Sequence, residues 1–97
     1  MAVYLLSCDV TRAEDRYSRL ATLIDSDFES QRLGRFSWAI KTELSADMLC
    51  DAISPHMAAS DRMFIVRASR DLAWFGFPPQ AVSWLRRHVL KAGCVED

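Results

Sequence analysis

The sequence predicts an α+β fold, and three features carry that expectation. Short apolar runs alternate along the chain with segments whose apolar residues recur every three or four positions, the two periodicities that separate strands from helices. Gly34, Pro55, the pair Pro78-Pro79 and Gly93 fall where those segments turn or end. The length, 97 residues with 51% apolar and 26% charged, suits one globular domain spanning residues 1–97, with a single core region and no second lobe.

The elements follow in order. Ala2–Cys8 (AVYLLSC) is a short apolar run bounded by Asp9 and Thr11 and reads as a buried strand. Thr11-Arg12-Ala13-Glu14 has the spacing of a capping box, in which the Thr hydroxyl serves the third backbone N–H and the Glu reaches back. Tyr17, Leu20, Ala21, Ile24 and Phe28 then give one apolar helix face, ending near Asp25–Asp27. Residues 28–33 form a second short strand with Gly34 as its turn. The third strand, residues 36–42, alternates: Phe36, Trp38 and Ile40 point one way, Ser37 and Lys41 the other.

Ser45 with Asp47 marks the next helix start, and Met48, Leu49, Ala52, Ile53 and Met57 build its buried face until Pro55 closes or bends it. Residues 63–66 (MFIV) are a fourth strand, and residues 73–77 (AWFGF) an extra, short fifth one. Pro79 suits the first turn of a terminal helix carrying Val82, Trp84, Leu85 and Val89, with Arg86, Arg87 and Lys91 in its C-terminal turns, where cations favour the helix dipole. The order βαββαβ, with the extra short C-terminal strand and terminal helix, predicts a ferredoxin-like sandwich: one antiparallel sheet with two helices on one face.

In that architecture the strands should be apolar on one side only. Instead Val3 and Leu5 are apolar opposite Tyr4, Leu6 and Cys8, and residues 63–66 are apolar on both sides. These two strands therefore read as the central pair, with an apolar patch on the uncovered face. A symmetric homodimer is the favoured cover, ahead of the terminal helix folding back over that face within one chain.

Composition limits the function classes. The net charge of −1 carries no global basic signature of the kind that supports nucleic-acid affinity, so any such binding must use basic residues gathered on one face. Three widely spaced cysteines make neither zinc spacing nor a disulfide framework and suit a reducing cytoplasm. No apolar run approaches the roughly 20 residues of a membrane span, and the N-terminal apolar patch lacks the basic leader and cleavage site of a secretory signal. Three glycines cannot build a phosphate-cradling loop. His56 and His88 lack metal-binding companions and read as structural, His56 at a helix end and His88 on a solvated face.

Asp9 is the candidate of most interest. It closes a buried strand just before a loop, where rigid scaffolds carry functional groups. Its carboxylate suits Mg²⁺ or Mn²⁺, hard cations that also share phosphate oxygens, and a two-fold axis would add a second Asp9. The residues alone favour a plainer role, capping the turn before the first helix. Arg12, Arg16 and Arg19 share one helix face and suit either phosphate contacts or a salt-bridged solvated surface with Glu14 and Asp15.

Five segments together suggest a family. Tyr4–Val10 (YLLSCDV), Asp15-Arg16-Tyr17, Phe36–Ser45 (FSWAIKTELS), Ser60–Val66 (SDRMFIV) and Ala73–Phe77 (AWFGF) resemble, in order and spacing, the CRISPR-associated Cas-two superfamily, most of all its stand-alone SinR-like branch of small proteins. The resemblance covers roughly residues 2–85 and lies in the set rather than in any one segment. The chain departs from the family pattern in Cys8, where a Tyr usually precedes the Asp, and in its slightly acidic balance. The resemblance implies a ferredoxin-like fold, a homodimer packed through its sheets, and strand exchange from the C-terminal segment. It implies Asp9 as the metal-linked nuclease residue, with Ser37 near it and basic residues such as Arg35 on the nucleic acid. Relatives of this kind include metal-dependent ribonucleases and deoxyribonucleases, a VapD-type toxin ribonuclease, and the DNA-holding subunit of a spacer-integration complex. RNA or DNA and an integrase-type or antitoxin partner protein are thus the expected partners, and a catalytically inactive adaptor is the alternative.

Overall fold

The computed structural model describes residues 1–10 and 14–90, with side chains described from residue 17 onward in the second span. The elements are β1 (Ala2–Asp9), α1 (Glu14–Asp27), β2 (Glu29–Gly34), β3 (Ser37–Thr42), α2 (Ala46–Ile53) with a 3₁₀ turn at Ser54–His56, β4 (Arg62–Arg67), and α3 (Pro79–Leu85) continued by a π-helical turn at Arg86–Leu90. The fold is α+β: one four-stranded antiparallel sheet in the order β2-β3-β1-β4, with three helices in a βαββαβα succession.

Two apolar layers form on opposite faces of that sheet, and strand alternation decides which residue joins which. Tyr4, Leu6 and Cys8 of β1 and Trp38 and Ile40 of β3 join Leu20, Ala21 and Ile24 of α1 and Leu49 and Ile53 of α2. Val3 of β1 and Ala39 of β3 face the other way, where Trp84 and Leu85 of α3 and Val89 of the π turn cover them. Trp38, Ile24, Ile40, Leu49 and Ile53 are fully buried. The terminal helix thus folds back over the second face, so one half of the surface that sequence patterning assigned to a partner is filled from within the chain. Phe64 and Val66 of β4 share that face by register with Ser7 and Leu5, and they stay 62% and 44% exposed. The uncovered apolar strip is therefore confined to the β4 side.

Several expectations need correction. The fourth strand is not central: β3 and β1 hold the middle, and β4 forms an edge. Polar Ser37 and Lys41 made β3 read as half-solvated, but Ala39 between them is fully buried and supplies the apolar contact on that side. Residues 73–77 form no fifth strand. The chain bends at Gly76, whose φ of +82° suits glycine and breaks an extended run. Trp74 and Phe77 pack partly into the second core, while Phe75 is 99% exposed. The Thr11 capping box and the helix end at Gly93 lie outside the described residues.

The second helix start matches its expectation. Ser45 accepts a hydrogen bond from the Met48 backbone N–H at 3.2 Å, and Asp47 lies in the first turn. Ser45→Ala removes that cap and is expected to lower stability by about 1 kcal/mol in urea denaturation. Pro55 sits in the 3₁₀ turn that closes the helix, and Pro79 opens α3. Among the described residues, no helix is long and apolar enough to cross a membrane.

Candidate functional site

Asp9 closes β1 and is exposed. Strand register decides what surrounds it. Cross-strand pairs place Ser7 opposite Ser37 of β3 and Phe64 of β4, and Asp9 opposite Arg62. Alternation then puts Ser7, Asp9, Ser37, Arg62 and Phe64 on the same sheet face, at the end that α3 leaves open. Asp9 and Ser37 are diagonal neighbours, about 7–8 Å apart at the backbone, a spacing that leaves room for a small group between their side chains. A groove of about 260 Å³ runs along this corner, lined by Ser7, Cys8, Asp9, Arg62, Met63 and Phe64.

Local structure holds Ser37 in place. The β2–β3 pairing shifts register between Arg32 and Gly34, which brings Gly34 directly opposite Ser37. A Cβ on Gly34 would stand 2.9 Å from the Ser37 hydroxyl oxygen, so the missing side chain makes room for that hydroxyl. The ladder continues one step past Ser37, with the Cys8 N–H donating to the Phe36 carbonyl at 2.9 Å. This places Arg35, in the β2–β3 turn, at the level of Asp9, with its guanidinium 5.1 Å from the Phe36 ring centroid.

The arginines of the first helix fare differently. Arg12 lies outside the described residues, as does the side chain of Arg16. Arg19 is exposed on α1, on the helix-covered side of the sheet, and so stands apart from the face that carries Asp9. Arg62, which sequence reading did not single out, stands opposite Asp9. Nothing in its local sequence marks it, because only the β1–β4 pairing sets it against Asp9.

Cys8 points to the opposite face from Asp9. Its burial first, and then the charges of Asp61 and Asp9, push the thiol up to about 11, so it remains protonated at neutral pH. The thiol donates weakly to the Phe36 carbonyl at 3.5 Å. Cys8 therefore packs into the helix-side core, and its protonated thiol is a poor nucleophile although the residue also lines the groove.

Among the described residues, no group of three or more His, Cys, Asp or Glu side chains is placed to hold an ion. Asp9 is, among the described residues, the one acidic side chain lining the groove. Any ion there needs further oxygen ligands from a substrate phosphate, from water, or from a second subunit.

His88, read from sequence as part of a solvated face, is instead largely enclosed. Its side chain is 10% exposed, wedged between Lys41 and Glu29 and tilted against Trp84 with ring centroids 4.4 Å apart. It lies at the other end of the sheet from Asp9, since Lys41 pairs with Val3 in the β1–β3 register.

No known family model matches the chain, and no curated protein matches it either.

Proposed function

We propose that this protein is a Cas-two-like, ferredoxin-like homodimer that cleaves RNA or DNA phosphodiesters with Mg²⁺ or Mn²⁺ at Asp9. One observation carries the reading: the pairing of β1 with β3 and β4 gathers Asp9, Ser37, Ser7 and Arg62 on an open sheet corner beside an uncovered apolar strip. The strip, Phe64 and Val66, is the surface through which two copies pair. Pairing there sets the two open corners on the shared face, so that a second Asp9 supplies the oxygen ligands one subunit lacks. A divalent ion so held neutralises charge on a phosphodiester, while Arg62 and Arg35 bind phosphate oxygens and Ser37 orients the bound group. The resemblance in residues 2–85 supports the same assignment.

A second reading rests on Arg62. A guanidinium directly across the ladder from Asp9 competes with a metal ion for its carboxylate. In that reading the dimer holds nucleic acid, or an integrase-type or antitoxin partner, without cutting.

A cleavage assay on labelled RNA and duplex DNA with Mg²⁺ or Mn²⁺ separates the two. Asp9→Ala is expected to lower the cleavage rate by about 100-fold, the scale of losing one preorganised electrostatic group at a reacting centre. Asp9 is exposed, so the variant should keep its fold. Cleavage that persists unchanged in the variant removes Asp9 from the site. Binding without cleavage by the wild type selects the second reading.

A further inference from the structure

We propose that His88 is an acid-sensitive latch, which holds the C-terminal helix over the sheet while its ring is neutral and lets it go when the ring takes a second proton. The geometry admits one neutral tautomer. His88 Nδ1 lies 3.3 Å from Lys41 Nζ, and an ammonium can only donate, so Nδ1 must carry the lone pair. The ring proton is then on Nε2, the nitrogen that lies 3.4 Å from the Glu29 Oε2 carboxylate oxygen.

The two partners come from different strands, and Glu29 and Lys41 are themselves cross-strand neighbours in the β2–β3 ladder. His88 therefore sits between the members of an opposite-charge pair and ties the π turn to both strands. Protonating Nδ1 would remove the acceptor and set an N–H against the ammonium at the same short distance. The Lys41 bond turns from attraction to repulsion, while the Glu29 contact strengthens.

The surroundings favour the neutral ring. Burial is the largest cause, and the charge of Lys41 and then that of Arg87 act with it, while Glu29 opposes them; together they hold His88 below its ordinary value of 6.5. The cavity beside the ring, about 740 Å³, is lined among the described residues by the charged side chains of Arg67, Arg70 and Asp71. Because the native ring is harder to protonate than the released one, the latch is at full strength above pH 6.5 and weakens as pH falls below it. Release frees Trp84, Leu85 and Val89 from Val3 and Ala39. The apolar strip at Phe64 and Val66 then widens across β1 and β3.

Amide hydrogen exchange, corrected for intrinsic rates and compared at about pH 7.5 and about pH 5.5, reads the latch directly. The amides of residues 80–90 are expected to gain in opening relative to those of β1 and β3, by up to about tenfold per pH unit, the limit for one titrating group. His88→Gln keeps an acceptor for Lys41 and a donor for Glu29 without a titrating ring, so its opening should be flat with pH. Lys41→Met removes the cation that the second proton meets and should weaken the response to the part that burial of the ring causes, which keeps the test available should the Gln variant fold poorly. A wild-type helix that opens no faster at acid pH than β1 and β3 overturns the proposal. So does a His88→Gln or Lys41→Met variant with the wild-type pH response.

Discussion

Trp38→Ala is expected to lower unfolding stability by about 3–5 kcal/mol, the usual cost of emptying a large aromatic site in a core. Trp38 is fully buried in the middle of β3, between Leu6 on β1 and Arg32 on β2. Its ring centroid lies 6.1 Å from that of Tyr17 on α1, and the Arg32 guanidinium lies 5.5 Å above it. Losing the indole leaves a void that strands on both sides prevent from closing. A domain of this size is stable by roughly 5–15 kcal/mol, so the variant is expected to stand near its unfolding midpoint under mild conditions. The Trp38 Nε1–H has no hydrogen-bond partner among the described residues. Trp38→Phe removes that unpaired donor, worth about 1–3 kcal/mol when buried, and so should cost far less than the alanine change. Urea denaturation followed by circular dichroism checks both, and equal losses in the two variants would mean that the N–H is satisfied in solution.

Leu85→Ala is expected to cost about 3 kcal/mol, but with a different signature. Leu85 is 1% exposed and belongs to the smaller core, where α3 and the π turn meet Val3 and Ala39. That layer is thin, and the chain between β4 and α3 is held to it by partly buried Leu72, Trp74 and Phe77. Weakening the anchor therefore favours local release of α3 before the sheet and the other two helices unfold. The denaturant slope should fall along with the midpoint, because the variant's native state already exposes part of the surface that unfolding would expose. Trp38→Ala should leave the slope unchanged. An unaltered slope in Leu85→Ala would show that the two cores unfold as one unit.

The contrast between these variants follows what could be read from the chain. The helix starts at Ser45 and Pro79 were legible because capping and proline placement depend on residues within one turn. β1, β3 and β4 were legible because apolar runs of that length leave few alternatives, whereas the polar β2 was placed by the turn at Gly34. Asp9 was legible as the end of a strand. Its companions were only partly so: Ser37 and Arg35 rested on the resemblance, whereas Arg62 was missed because pairing partners lie more than 50 positions apart and carry no mark of each other. His88 was misread for the same reason. A histidine beside Arg87 looks solvated in one dimension, and only the fold-back of α3 sets it between Lys41 and Glu29.

Sequence by itself determined the type and order of the three helices and the four strands that form, and the presence of apolar surface on both sides of β1. These depend on periodicity and on local backbone chemistry, which each segment carries alone. Tertiary structure decided that β3 rather than β4 is central, that residues 73–77 turn at Gly76 instead of pairing, and that α3 covers half of the second sheet face. The physical reason is that burial belongs to contacts between segments. An apolar residue states that it needs cover, as Val3 and Phe64 both do, but not which element will supply it; Val3 receives it from α3, and Phe64 remains exposed at the corner that carries Asp9.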